Sequence, residues 1–176
     1  MKLVVILILF SSICHGQLME VIHPVTQKVT RVRHGSMNMP RNTALEVINE
    51  CNKRIGENPQ DWEAYYLRAR SKQILYKFKA SIEDTKVLIE NRQLLNFAYW
   101  IQGESYIYLL DYTKAIKAYK KAINHYHEPY TKARINFIIG MCYIQIDEEE
   151  QGCIYFEKMG DLRSHSGFEH AKKYCQ

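Results

Sequence analysis

The sequence predicts an all-α protein, a stack of about three helical hairpins closed by a capping helix at each end. Three observations predict it. Only 8 Gly and 4 Pro occur in 176 residues, too little turn material for a many-stranded β fold. Apolar residues recur at three- and four-residue spacing. The same pattern then returns at a near-constant interval along the chain. With 47% hydrophobic and 24% charged residues the chain is neither disordered nor collagen-like, and its length excludes a large multidomain enzyme.

Residues 1–16, MKLVVILILFSSICHG, place one Lys ahead of eight apolar residues, Leu3 to Phe10, followed by small and polar ones. This is the pattern of a secretory signal peptide, with cleavage expected after Gly16. Eight apolar residues in helix cover about 12 Å against about 30 Å of hydrocarbon, so the run is too short for a stable span. Lipid anchoring at Cys14 is disfavoured because Ile13 stands where lipoprotein signals carry a small residue. The mature chain is therefore expected to be exported, periplasmic or extracellular, with no membrane span. Removing the leader deletes one of the 24 basic residues and none of the 19 acidic ones, leaving +4. That charge is too mild to imply nucleic acid. Lys114, Lys117, Lys120 and Lys121 read as one solvated helix face.

Residues 17–41, rich in Val and Thr, read as an extended or flexible arm; a sharper alternative lays it along the protein's own groove. Residues 42–60 form an N-terminal capping helix, because Ala44, Leu45, Ile48, Cys51 and Ile55 fall at helical spacing and Asn42 or Thr43 can cap it. Gly56, Asn58 and Pro59 close it. The middle of the chain, Ala98 to Ile123, reads as two amphipathic helices hinged at Leu110 and Asp111. Tyr99, Gly103 and Tyr106 repeat on one face of the first helix, and Ala115, Tyr119 and Ala122 on one face of the second. Small residues there let two backbones approach while tyrosines fill the space beside them.

Thirty-four residues upstream the same frame fits Ala64 to Ile89, with Ala69 beneath Gly103 and Phe78 beneath Tyr112. Thirty-seven residues downstream it fits Asn136 to Met159, with Gly140, Tyr143, Gly152 and Phe156 in register. The three extra residues fall around His127 to Tyr130, where Pro129 suits a longer inter-hairpin loop. Repeats are thus expected over 62–95, 96–129 and 133–166. A short C-terminal capping helix over 167–176 places Phe168, Ala171 and Tyr174 or Cys175 on one face.

Gly103 to Tyr106, the turn at Asp111 and Tyr112, and Ala115, Tyr119 and Ala122 make the middle block resemble a tetratricopeptide repeat. The resemblance covers about residues 62 to 166. In the first block Arg68, Ala69, Lys72 and Asp84 match a variant of the pattern with Arg, small, Lys and Asp at set positions. Thr85 in place of a large apolar residue, and Tyr76, Leu110 and Asp147 in place of the usual turn glycine, depart from it. The resemblance implies a tetratricopeptide-like solenoid and a protein interaction function. It also implies that the first helices line a concave surface. That face carries Tyr66, Arg70, Gln73 and Ile74, then Phe97, Trp100, Glu104, Ile107 and Tyr108, then Arg134, Phe137, Met141 and Ile144.

Tyr66, Trp100 and Phe137 hold one position in three consecutive repeats, an aromatic ladder. With Tyr99 and Tyr106 facing the core, the ladder is expected to stand in water and mark a partner-binding groove. The Lys, Asn and Arg set with which the family grips a C-terminal carboxylate is absent. An extended or helical apolar segment of a partner protein is the fitting ligand. The expectation is a non-catalytic adaptor or scaffold. The alternatives are a self-associating module that uses the ladder as an oligomer interface, and a metal-binding or enzymatic factor using His125 and His127.

No glycine-rich phosphate loop, GxSxG elbow or HExxH pair occurs, and nothing calls for a catalytic residue, a cofactor or a metal. His125 and His127 lie two residues apart, so on a helix their rings would diverge by about 200°. Four cysteines remain after maturation, and export permits disulfides. Cys142 and Cys153 lie at similar distances from the turn near Asp147 and can face each other across one hairpin, a bridge the spacing leaves open. Cys51 and Cys175, at opposite ends of the stack, are expected to be free.

Overall fold

The computed structural model describes residues 40–159 and 174–175. Among the described residues seven α-helices follow one another: α1 Arg41–Glu57, α2 Trp62–Ile74, α3 Phe78–Glu90, α4 Leu95–Tyr108, α5 Tyr112–Ala122, α6 Pro129–Gln145 and α7 Glu149–Glu157. A 3-10 turn, Ile123–His125, follows α5, and no strand occurs among the described residues. Each helix packs on the next, so α2/α3, α4/α5 and α6/α7 form three hairpins stacked in chain order behind α1. The chain is the all-α hairpin stack its periodicity predicts. The leader 1–16, the arm up to Met39, and most of the cap over 167–176, with His165 and His170, lie outside the described residues.

Helix starts follow from side-chain chemistry. Asp61 and Asp111 precede α2 and α5, and their carboxylates accept the backbone N–H of Ala64 and Lys114. Pro129 opens α6 at a position whose N–H would have no helical acceptor. The α1 start differs from the expected cap: it lies one residue earlier, after Pro40, with no side-chain cap.

The turn inside each hairpin is the same. Tyr76, Leu110 and Asp147 stand at φ 58°, 59° and 60°, the left-handed conformation that favours Gly. Behind each, the next N–H reaches a carbonyl five residues back: Lys77 to Lys72 at 2.8 Å, Asp111 to Tyr106 at 2.9 Å and Glu148 to Tyr143 at 3.0 Å. Three non-glycine residues therefore carry a steric cost of about 1 kcal/mol or more each to keep one turn geometry.

The hairpins close at matching positions too. A Cβ added to Gly103 would lie 2.6 Å from the Tyr119 ring, and one on Gly140 would lie 2.4 Å from Phe156. In the first hairpin the same two positions hold Ala69 and Thr85, both fully buried. Ala69 has the methyl the glycines lack, and its counterpart is correspondingly smaller. The departure at Thr85 is size matching, and its hydroxyl bonds the Ile82 carbonyl at 2.7 Å. The main apolar core runs through α4 to α7, while α1 and α2 share a small cluster of Cys51, Ala64 and Leu67.

Candidate functional site

The first helices of the hairpins, α2, α4 and α6, carry every residue expected to line the groove, and α2 touches α4 directly. The floor of that face is polar and buried. Arg70 Nη1 donates to Glu104 Oε2 at 2.6 Å and to Gln73 Oε1 at 2.7 Å. Trp100 Nε1 donates to the other Glu104 oxygen at 2.8 Å. Gln73 Nε2 then bonds the Ile101 carbonyl and Ser105 Oγ. Burial alone would disfavour charge on Arg70, but the carboxylate of Glu104 more than offsets it, and the guanidinium pKa is raised. Arg70 and Glu104 occupy one repeat position 34 residues apart, so the network is a rung joining neighbouring hairpins.

Above this floor Tyr66, Ile74, Phe97, Tyr108 and Arg134 are half-buried. Tyr66 packs on Phe97 with ring centroids 5.3 Å apart, and Tyr108 stacks on Phe78 at 4.6 Å. The ladder expectation is corrected here. Trp100 is only 4% exposed and Phe137 6%, and Ile107, Met141 and Ile144 are buried with them. Each ring of the supposed ladder packs on different neighbours: Tyr66 on Phe97, Trp100 on Tyr119 and Tyr126, Phe137 on Phe156. Tyr99 and Tyr106, expected in the core, are instead half-buried at its edge, with Lys121 and Lys114 over their faces.

Phe137 is covered from within its own hairpin, and Trp100 is covered in addition by the longer connection between the second and third hairpins. Its three extra residues accommodate a 3-10 turn that contacts both α4 and α6, and Tyr126 just beyond it lies against Trp100 with centroids 5.9 Å apart. Arg134 covers the indole at 5.4 Å. Three polar atoms around Trp100 are buried without a hydrogen-bond partner: Tyr119 Oη, Tyr126 Oη and Arg134 Nε. Burial pushes both phenol pKa values up, so these hydroxyls keep their protons. A buried polar group left unsatisfied costs about 1–3 kcal/mol, which sets these three atoms apart among the described residues.

Elsewhere, the Arg68, Lys72 and Asp84 pattern closes into an ionic knot. Asp84 accepts Arg68 Nη2 at 2.8 Å, Arg68 Nε at 3.1 Å and Lys72 Nζ at 2.6 Å. It ties α2 to α3 and does not face the groove network. The basic stripe Lys114, Lys117, Lys120 and Lys121 is exposed along α5. His125 and His127 are exposed, and His125 stacks on Tyr99 at 5.9 Å. Among the described residues no group of three or more His, Cys, Asp or Glu is placed to hold a metal ion. No helix among them is long and apolar enough to cross a membrane.

Cys51 is free as expected, whereas the expectations for Cys142, Cys153 and Cys175 are corrected. Cys153 is bonded to Cys175, with Cα atoms 5.6 Å apart, while Cys142 and Cys51 are free and buried. Cys142 sits on the core side of α6, whereas Cys153 is half-exposed on α7, where a returning tail can reach it. Burial pushes the Cys142 thiol up to about 12 and the Cys51 thiol up to about 11, so both are protonated and poorly nucleophilic at neutral pH. In comparisons with known proteins, no family model and no curated protein matches the chain.

Proposed function

We propose that the chain is a non-catalytic, tetratricopeptide-like adaptor that binds a segment of a partner protein along the face formed by α2, α4 and α6. The observation that carries this reading is a half-exposed rim set on a fixed polar floor. Tyr66, Ile74, Phe97, Tyr108 and Arg134 come from three successive hairpins, and beneath them the Arg70–Glu104 pair locks two of those hairpins together. Aromatic and Arg side chains held in place without being fully consumed by the core are the usual anchors of a protein interface. A buried ion pair adds little net stability, which makes its placement under this rim more informative than its energy. The bridge between Cys153 and Cys175 supports export to an oxidising compartment, as does the apolar leader.

Peptide display tests the reading. Random peptides are panned against the immobilised chain and counter-screened on a Tyr66→Ser, Phe97→Ser, Tyr108→Ser variant. Removing each ring is expected to weaken binding by about 1.5 kcal/mol or more, so selected peptides should be lost from the variant while its helicity persists. Peptides that bind both proteins alike, or a chain that enriches none, would refute the groove.

A further inference from the structure

We propose that Arg134 and Tyr126, beside Trp100, form an anchor subsite for one acidic side chain of an extended partner segment. This rests on the groove reading and supplies the chemistry of its ligand.

The three side chains that carry the unpartnered atoms surround one indole. Arg134 covers the Trp100 ring at 5.4 Å, and Tyr119 and Tyr126 meet it edge-on at 5.8 Å and 5.9 Å. A cation held over the indole face is restricted in position, so Arg134 stays beside the two phenols. Tyr119 and Tyr126 are each more than nine-tenths buried, yet neither hydroxyl has a partner, and neither does Arg134 Nε. The acid within this cluster, Glu104, is already committed. One oxygen takes Trp100 Nε1, the other takes Arg70, and Arg70 balances its charge. Glu128, the other acid in electrostatic range of Tyr126, is exposed at the entry to α6.

The cluster therefore presents hydrogen-bond donors together with a cation that the Glu104 carboxylate does not serve. A water molecule would satisfy donors without answering the charge, whereas a carboxylate does both, through a charge-assisted bond to the guanidinium. Tyr126 belongs to the loop between hairpins rather than to a helix, so its ring can shift to admit a ligand without unwinding an element. The position also selects the source of the carboxylate. The cluster lies where α4 meets the third hairpin, with Tyr66 and Phe97 further along the same face, so a segment occupying the rim runs past it. That geometry favours a side chain over a chain end.

The test uses the full chain carrying Trp62→Phe, which leaves Trp100 as the single remaining indole of the two in the sequence. Three blocked peptides are titrated against its fluorescence: acetyl-Leu-Asp-Leu-amide, acetyl-Leu-Asn-Leu-amide, and acetyl-Leu-Asn-Leu with a free terminal carboxylate. The Asp peptide is expected to bind saturably and at least about tenfold more tightly than its Asn isostere. Arg134→Gln should abolish that preference. Tyr126→Phe, which removes only an unpartnered hydroxyl, should reduce it without lowering the melting temperature. Equal binding of the Asp and Asn amides overturns the subsite and leaves the groove standing. Preference for the free terminus overturns the side-chain assignment. No saturable change with any peptide also overturns the subsite, and the display experiment then decides the groove separately.

Discussion

The first hairpin and the third share one backbone plan and are closed by opposite chemistry. Between α2 and α3 the closure is ionic: Asp84, 3% exposed, receives Arg68 and Lys72, while Ser81 Oγ donates to the Ala69 carbonyl at 2.8 Å. Between α6 and α7 it is apolar and steric. Gly140 and Gly152 bring the backbones together, and Phe156 and Ile144 occupy the space their missing side chains leave. The second hairpin already belongs to the apolar type, with Gly103 against Tyr119. The same turn can thus be followed by closure through charge pairing or through close packing. The difference predicts how each end of the molecule responds to solvent.

The largest effect should come from opening the ionic rung between hairpins. Arg70→Ala leaves the buried Glu104 carboxylate without its counterion and is expected to cost about 3–5 kcal/mol in chemical denaturation. Replacing both by apolar residues of similar volume, Arg70→Met with Glu104→Leu, should recover most of that loss. If the single variant is as stable as the parent, the rung does not exist in solution. Next in size, Gly140→Ala forces a methyl into the Phe156 ring and should cost about 1–3 kcal/mol, with no dependence on salt or pH. Gly56→Ala is its control, because an added methyl there meets nothing within 4 Å, and it should be neutral or slightly stabilising.

A smaller effect of opposite sign is expected at the turns. Leu110 and Tyr76 are exposed and left-handed, so Leu110→Gly or Tyr76→Gly should raise stability by about 0.5–1 kcal/mol. A loss at either site would show that the positive φ is not kept in solution. Acid should discriminate the two ends most gently. Burial works against the Asp61 carboxylate, but its hydrogen bonds from Arg54 and the Ala64 N–H hold its pKa below the usual value of 3.8. A lowered carboxylate pKa contributes stability above the unfolded value that disappears as pH falls through the folded one. Hydrogen exchange at pH 3 to 4, about the range concerned, should therefore show α1 and α2 loosening before α6 and α7. The buried thiols give the alkaline counterpart. Raised to about 11 and about 12, Cys51 and Cys142 contribute stability that is lost as pH climbs from the unfolded thiol value toward those figures.

Much of the architecture was legible because it is periodic. The small residues Ala69, Gly103 and Gly140 recur in frame, as do the second-helix positions Thr85, Tyr119 and Phe156, and helical spacing converts that recurrence directly into stacked hairpins. The site was legible only as a face. Periodicity placed Trp100 and Phe137 on α4 and α6, but it could not show that an insertion of three residues would bring Tyr126 onto one of them. The Arg70–Glu104 rung was visible in principle as opposite charges at one repeat position. The Cys153–Cys175 bridge was not, because it depends on where the tail returns, which no helical period encodes.

Hydroxyl-radical footprinting of the folded chain reads the half-buried rim and its buried floor residue by residue. Tyr66, Phe97 and Tyr108 should be oxidised several-fold faster than Trp100 and Phe137 once each rate is divided by the intrinsic reactivity of its side chain. Oxidation of Trp100 and Phe137 at rates equal to or above those of the rim would contradict the arrangement, and the proposed adaptor reading with it.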